Sequence, residues 1–312
     1  MKKVGIIGGS GFIGSHITKQ FLDNGFEVKV STRDLSNIDK YRHLNRLKNA
    51  EHLSFSELNV TDKNRLENFV KDCDIVIHSG TPFQLDFTDA KAELFDPTIK
   101  GTENFLEVIH KTPSVKKVVL IASVAAWNTN FPLPAGGKLS SDNFNENDTP
   151  FTNEESHPYA QAKFMANQTV NKFIAKHPDS ITEIVSVSPV MVMGKSLSNR
   201  EDSTSTGIQY LFKNKIAPNP FIQMFYDDDI EMAIVNVKDV GRAVYKAATI
   251  PGLHGKNYLL SSETYPVSDV TLMLNNKTPK HAAKIIYQNQ LAERDLGLPF
   301  QSVSKTLNQY NS

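Results

Sequence analysis

The sequence predicts an α/β fold: a doubly wound parallel sheet followed by a smaller C-terminal α+β lobe. Three observations carry that expectation. Strand-length runs rich in Val and Ile alternate with helical stretches up to Pro189, the pattern of a parallel sheet covered on both faces. A glycine-rich turn follows the first run directly, and the composition becomes polar after Pro189.

Taken in order, Val4-Gly5-Ile6-Ile7 is a first strand bounded by glycine. Ile13, Ile17 and Phe21 then recur every four residues and give one apolar helix face. Glu27 to Ser31 reads as a second strand and Tyr41 to Leu47 as a charged helix. Leu53 to Leu58, Asp74 to His78, Lys117 to Ala122 and Ile181 to Val187 supply further strands. Helices are expected between them at Asp62 to Val70, Thr98 to Lys111 and Tyr159 to Lys176. The polar segment Asn128 to Ser156, with Pro132, Pro134, Gly136 and Gly137, is too long for a plain connection and is expected to rim an active site. Residues 195–229 read as largely loop-like. Ala233 to Val237, Val240 to Ala248 and Asn257 to Leu260 return to regular structure, partly threaded back onto the first domain.

Composition narrows the function classes. The 312 residues carry 34 Lys+Arg against 34 Asp+Glu with no basic block, which argues against nucleic acid or an anionic membrane as a partner. Hydrophobic residues make up 39% and charged residues 22%, a globular composition. A single cysteine, Cys73, excludes a disulfide framework, a thiol zinc site and a Cys-x-x-Cys redox pair. It sits just before Ile75-Val76-Ile77 and reads as core. The apolar stretch Val118 to Trp127 is too short to span a bilayer, and no small-residue cleavage site follows Met1-Lys2-Lys3. The expectation is a cytoplasmic chain with no membrane partner, in which the glycosylation-like Asn59, Asn147, Asn167 and Asn276 have no such role. Asp227-Asp228-Asp229 lacks the alternating spacing of a calcium loop and is expected to be a solvated turn, so no metal is assigned.

Chemistry enters with Gly8-Gly9-Ser10-Gly11-Phe12-Ile13-Gly14, placed after a strand and opening a helix. A tight turn, close approach of a pyrophosphate to bare backbone, and tight helix–strand packing are what such spacing permits. Backbone N–H groups at the helix start then face the negative charge. Gly8, Gly11, Phe12, Ile13 and Gly14 are therefore expected to hold a dinucleotide. An NAD-preferring site usually places a carboxylate at the end of the second strand. Here that end reads Ser31-Thr32-Arg33-Asp34, where Arg33 can fork onto a 2′-phosphate and Ser31 and Thr32 can donate hydrogen bonds to it. NADP(H) is favoured, with NAD(H) left possible. The domains follow as 1–188 for the dinucleotide, with a return segment at about 233–262, and 189–312 for the substrate.

Tyr159-Ala160-Gln161-Ala162-Lys163 places a phenol and an ammonium on one helix face. A nearby Lys⁺ and a nicotinamide cation would stabilise the phenolate and lower its pKa. Ser123 stands at the C-terminal end of Val118-Val119-Leu120-Ile121-Ala122, the edge outside which open parallel sheets bind ligands. Its hydroxyl could hold a substrate carbonyl oxygen as charge develops. His78 and His157 read as structural. Trp127, Phe83 and Phe131 could wall a substrate or pack in the core.

Together these features resemble the extended short-chain dehydrogenase/reductase family, and within it the dihydroflavonol-4-reductase-like branch. His78-Ser79-Gly80-Thr81-Pro82, Pro97-Thr98-Ile99-Lys100-Gly101-Thr102-Glu103-Asn104, Ser188-Pro189 and Val235-Asn236-Val237-Lys238-Asp239-Val240-Gly241-Arg242-Ala243 extend the likeness from about residue 3 to Ser262. The resemblance implies a Rossmann fold. It also implies that Lys163 holds nicotinamide ribose hydroxyls, that Ser79, Gly80 and Thr81 line the cofactor, and that Ser188 and Pro189 approach the nicotinamide. Asn59 and Val60 fall at the family's adenine contact, where Asp is common. Val124-Ala125-Ala126 departs from the usual small polar residues.

The implied activity is hydride transfer from NADPH to an aldehyde or ketone. Ser123 would bind the oxygen, Tyr159 would deliver the proton, and Lys163 would tune Tyr159. Two alternatives stand beside it: an NAD-dependent nucleotide-sugar epimerase/dehydratase, and a non-catalytic NADP-binding sensor. The first needs arginines for a substrate diphosphate, and after residue 150 there are only Arg200, Arg242 and Arg294. The second would tend to lack the Tyr/Lys pair. The expected partner is a small carbonyl compound, and the chain is expected to be a monomer or homodimer.

Overall fold

The structure, a computed structural model, describes residues 1–79, 89–200 and 203–311. Its centre is β1 (Lys3–Ile7), which pairs in parallel with β2 (Glu27–Thr32) on one side and β4 (Ile75–His78) on the other. Beyond them lie β3 (Leu53–Glu57), β5 (Lys117–Ile121), β6 (Glu183–Pro189) and β9 (Asn257–Leu260), in the order β3-β2-β1-β4-β5-β6-β9. Neighbours throughout are parallel. The winding reverses between β1 and β4, so a crevice opens at the carboxyl ends of those two strands.

Strand parity shows why the Val/Ile runs are nearly continuous. Val4 and Ile6 point into one core, with Ile17 and Phe21 of α1 (Phe12–Asp23) and Val240 and Val244 of α7 (Val237–Thr249). Ile7 belongs to the opposite core, with Phe69 of α2 (Lys63–Val70) and Phe105 and Ile109 of α3 (Asp96–His110). Both faces are covered, so every second position and its neighbour are apolar; each buried Val, Ile or Leu contributes about 1.5–3 kcal/mol. Gly5 fits this second core because a Cβ there would lie 2.9 Å from Cys73 Sγ. Cys73 is the core residue its context implied, its thiol pushed up to about 11 by burial.

The C-terminal lobe is built on a second sheet, β10 (Glu263–Pro266), β8 (Glu231–Asn236) and β7 (Met191–Met193) in that order. Met193, Met232, Ile234 and Tyr265 form its core with Phe212 of α5 (Thr204–Asn214), Phe225 of α6 (Pro220–Asp227) and Val270 of α8 (Val267–Leu274). Within the stretch 233–262, α7 packs on α1 and β9 joins the large sheet, while β8 lies in the small one.

Two expectations are corrected. Tyr41 to Leu47 is not an α-helix: Ile38–Lys40 and Arg42–Arg46 are short 3-10 turns, with only Leu44 of the latter buried. Residues 195–229 hold two helices. The start of α6 carries a sequence signal that the loop reading passes over: Asn219 accepts from the Ile222 N–H at 3.0 Å and Pro220 takes the first helical position. For the segment 128–156 the expectation is an active-site rim. The segment is tied to the C-terminal region by Asn128 Nδ2 donating to the Tyr287 hydroxyl (2.9 Å) and the Leu259 N–H donating to Glu146 (2.9 Å). Its 132–144 portion lines a cavity of about 370 Å³ against Ile230, Glu231 and Thr264. Neither the glycine turn nor Tyr159 borders that cavity.

Candidate active site

The glycine turn connects β1 to α1 at the crevice. Gly8 has φ +78, a left-handed conformation that favours glycine, and its carbonyl accepts from the Gly11 N–H at 3.1 Å. A Cβ on Gly14 would sit 2.0 Å from the Gly8 oxygen, so α1 can lie against the turn only because that side chain is absent. Ser31 at the end of β2 accepts from the Gly8 N–H at 3.1 Å and so braces the turn. Ser79, after β4, donates both its N–H (3.0 Å) and its hydroxyl (2.8 Å) to the Ile7 carbonyl.

These elements border a cavity of about 300 Å³ lined by Gly8, Gly11, Phe12, Ile13, Gly14 and Ser79, and also by Tyr159. The opposite wall comes from the C-terminal lobe, with Ser196, Ser198, Arg200 and Ser203 to Ser205. No sequence motif pointed to this wall.

Tyr159 lies in the first turn of α4 (Pro158–Lys176), one residue into the helix. His157 caps that helix, its Nδ1 accepting from the Tyr159 N–H at 3.2 Å. Lys163 follows one turn later, 7% exposed, with Nζ 5.9 Å from the Tyr159 ring centroid. Burial pushes the Tyr159 phenol up to about 12 and the Lys163 ammonium down to about 8. The expected lowering of the tyrosine is therefore not a property of the protein alone: desolvation outweighs the lysine. His78 is held neutral, its pKa lowered to about 4 by burial and by Lys163, with its ring edge-on to Phe105 at 4.7 Å.

Ser123 ends the strand region of β5 and caps the short turn Val124–Ala126, its Oγ accepting from the Ala125 N–H at 3.2 Å. The hydroxyl hydrogen is not used by that bond, because a serine hydroxyl donates and accepts through different sites. α4 packs directly on this turn.

The remaining predicted residues sit as follows. Arg33 is exposed beyond β2. Thr32 donates to the Asp34 carbonyl at 3.0 Å, and Asp34 is occupied by the Ser36 N–H (2.8 Å) and hydroxyl (2.6 Å), which hold its carboxyl below the usual range. Asn59 accepts from the Thr61 N–H (3.2 Å) and hydroxyl (2.9 Å), a local turn, and Val60 packs on the second core. Ser188 is fully buried and donates to Asn257 at 2.8 Å, which in turn donates to Asn167 on α4 at 3.0 Å. Its hydroxyl thus anchors the helix that carries Tyr159 and Lys163. Pro189, at the end of β6, is buried beside it. Gly80, Thr81 and Phe83 lie outside the described residues. Trp127 packs on the first core, and its indole Nε1 is buried without a hydrogen-bond partner among the described residues.

Among the described residues no His/Cys/Asp/Glu group could hold a metal ion, and no helix is long and apolar enough to cross a membrane.

Cinnamoyl-CoA reductase CAD2 of Medicago truncatula is 31% identical over 80% of this chain and 74% of its own length. Anthocyanidin reductase of Arabidopsis thaliana is 26% identical over 95% and 84%. Among solved structures, yeast methylglyoxal/isovaleraldehyde reductase Gre2 with NADPH has TM-score 0.78 at 23% identity, covering 98% of this chain and 96% of that one. Gre2 of Candida albicans with NADPH has TM-score 0.82 at 20% identity, over 100% and 98%. The family model of the NAD dependent epimerase/dehydratase family matches residues 4–260, and the chain belongs to that family, the extended short-chain dehydrogenases/reductases.

Proposed function

We propose that the protein is an NADPH-dependent reductase of an aldehyde or ketone carbonyl. The observation that carries this reading is that Tyr159 borders the same cavity as the glycine turn, with Lys163 one helical turn behind it. Relatives that are reductases, and NADPH-bound structures of the same fold, support it.

The residues present fit a phosphorylated dinucleotide. The turn offers backbone with no side chain at Gly14, Arg33 stands exposed at the end of β2, and the Asp34 carboxylate next to it in sequence is turned into its own loop. When bound, the cofactor supplies the hydride. Ser123 would donate its hydroxyl hydrogen to the substrate oxygen. Tyr159, protonated at neutral pH as any phenol is and held so further by burial, is in the form needed to donate a proton. Lys163, still largely cationic near pH 7, would stabilise the phenolate left behind. Arg242 and Arg294 are paired with Asp239 and Asp295, which leaves the lobe poorly equipped for a substrate diphosphate and weighs against the epimerase/dehydratase reading.

The test is NADPH oxidation against a panel of aldehydes, ketones and flavanonols, with Tyr159→Phe as the control. Turnover of at least one carbonyl is expected, with a loss of about 10²- to 10⁴-fold in the variant while NADPH still binds. Near-normal turnover in Tyr159→Phe would overturn the assignment.

A further inference from the structure

The loop after β7 crosses from the C-terminal lobe onto the dinucleotide half of the molecule. It is fixed at two points. The Lys195 carbonyl accepts from His16 Nε2 on α1 at 3.0 Å, and Arg200 reaches the glycine turn. Arg200 Nη1 donates to the Ser10 carbonyl at 3.1 Å and to the Lys40 carbonyl at 3.2 Å. These two carbonyls belong to different walls. Ser10 is in the glycine turn, and Lys40 closes the 3-10 turn that follows β2. The guanidinium therefore lies between the pyrophosphate-binding turn and the loop that begins with Thr32 and Arg33.

That corner is where a group carried on the adenosine ribose must go if the dinucleotide lies across the β1/β4 crevice. Its chemistry suits a dianion. Arg33 is exposed on the loop at one side of it and Arg200 is bonded to the Lys40 carbonyl, while the Asp34 carboxylate accepts from Ser36. His43 beside α1, its Nε2 2.8 Å from Ser15 Oγ, is pushed below its ordinary pKa by burial and by the Arg200 charge. Arg200 Nη1 thus bonds two backbone carbonyls of the cofactor half.

We propose that Arg200 is a cofactor-selecting clasp: a cation lent by the substrate lobe to the 2′-phosphate corner, which favours a 2′-phosphorylated dinucleotide over its unphosphorylated counterpart and couples lobe position to cofactor binding. The inference rests on the reading of the cleft as a dinucleotide site and goes beyond it, since Arg200 belongs to neither the glycine turn nor the end of β2.

The experiment compares wild type, Arg200→Gln and Arg200→Lys in equilibrium binding of NADPH, NADH, 2′,5′-ADP and 5′-AMP at two salt concentrations. A charge-assisted bond to phosphate is worth about tenfold or more in affinity. Arg200→Gln is therefore expected to weaken NADPH and 2′,5′-ADP by about tenfold, to change NADH and 5′-AMP by less than about threefold, and to flatten the salt dependence of NADPH binding. Arg200→Lys should recover most of the preference. Equal weakening of phosphorylated and unphosphorylated ligands, or an unchanged NADPH/NADH ratio, would overturn the clasp. A wild-type protein that binds neither dinucleotide would instead overturn the proposed function, so the two failures are distinguishable.

Discussion

The two walls of the cleft are made of different materials. On the sheet side the wall is backbone: the Gly8 carbonyl, the first turn of α1, and Ser31 and Ser79 bonded to main-chain atoms. Its shape depends on side chains being absent. On the lobe side the wall is a row of hydroxyls and one guanidinium, Ser196, Ser198, Arg200 and Ser203 to Ser205. Backbone packed against backbone cannot give way, whereas a hydroxyl can be lost and its partner rehydrated. Substitutions on the sheet side should therefore damage folding and binding together, and those on the lobe side should grade binding alone.

The largest expected effect sharpens that contrast. In Gly14→Ala the added carbon would meet the Gly8 oxygen at 2.0 Å and the Gly9 Cα at 2.8 Å, both main-chain atoms that no rotamer change can move. Overpacking of this kind costs about 1–3 kcal/mol, and here the strain falls on the turn itself. Thermal unfolding should shift downward, and NADPH affinity should drop by more than about tenfold. A variant with unaltered melting and binding would show that the sheet wall is softer than its geometry implies.

This contrast also explains what could be read from the amino-acid sequence. The sheet wall and the Tyr159–Lys163 pair were legible because backbone requirements impose residue types at fixed spacing: a glycine where Cβ cannot fit, Tyr and Lys one helical turn apart. Both-face burial made the Val/Ile runs of β1, β4, β5 and β6 equally plain. The lobe wall was not legible. Ser196 and Ser198 look like any polar loop, and Arg200 acquires meaning only when folding sets it beside Ser10 and Lys40, 190 and 160 positions away in the chain. The family resemblance puts Ser188 near the nicotinamide, but the donation of its hydroxyl to Asn257 depends on β9 returning to the sheet and has no local signal. The helices α5 and α6 were missed because they lie in a stretch whose Ser, Asn and Pro read as loop, and their Phe212 and Phe225 are buried only against the small sheet.

A third side of the cleft, α4, responds to pH in a way neither wall should. Burial lowers Lys163 to about 8, so the ammonium is present at neutral pH and lost as pH rises through that value. Tyr159 stays protonated over the same range because its pKa is raised to about 12. Carbonyl reduction should then decline above pH 8, by up to about tenfold per unit as the cationic fraction falls. Lys163→Met should be slow at every pH and show no such descent. If the descent persisted in Lys163→Met, the titrating group would lie elsewhere.

The smallest effects test the contrast most directly, because one bond type occurs in both walls. Ser31 Oγ accepts from the Gly8 N–H at 3.1 Å, and Ser196 Oγ accepts from the Ser198 N–H at 3.1 Å. Ser31 is 9% exposed at the end of a buried strand, so Ser31→Ala leaves a donor that water reaches poorly, a loss of about 1–3 kcal/mol. Ser196 is half-buried at the mouth of the cleft, and in Ser196→Ala water can replace the hydroxyl, so the loss should stay below about 1 kcal/mol. NADPH titration should show about tenfold weakening for Ser31→Ala and at most about threefold for Ser196→Ala. Equal losses would mean that the two walls differ in composition but not in rigidity, because the same hydrogen bond would then have the same value whether its surroundings were packed strand or open loop.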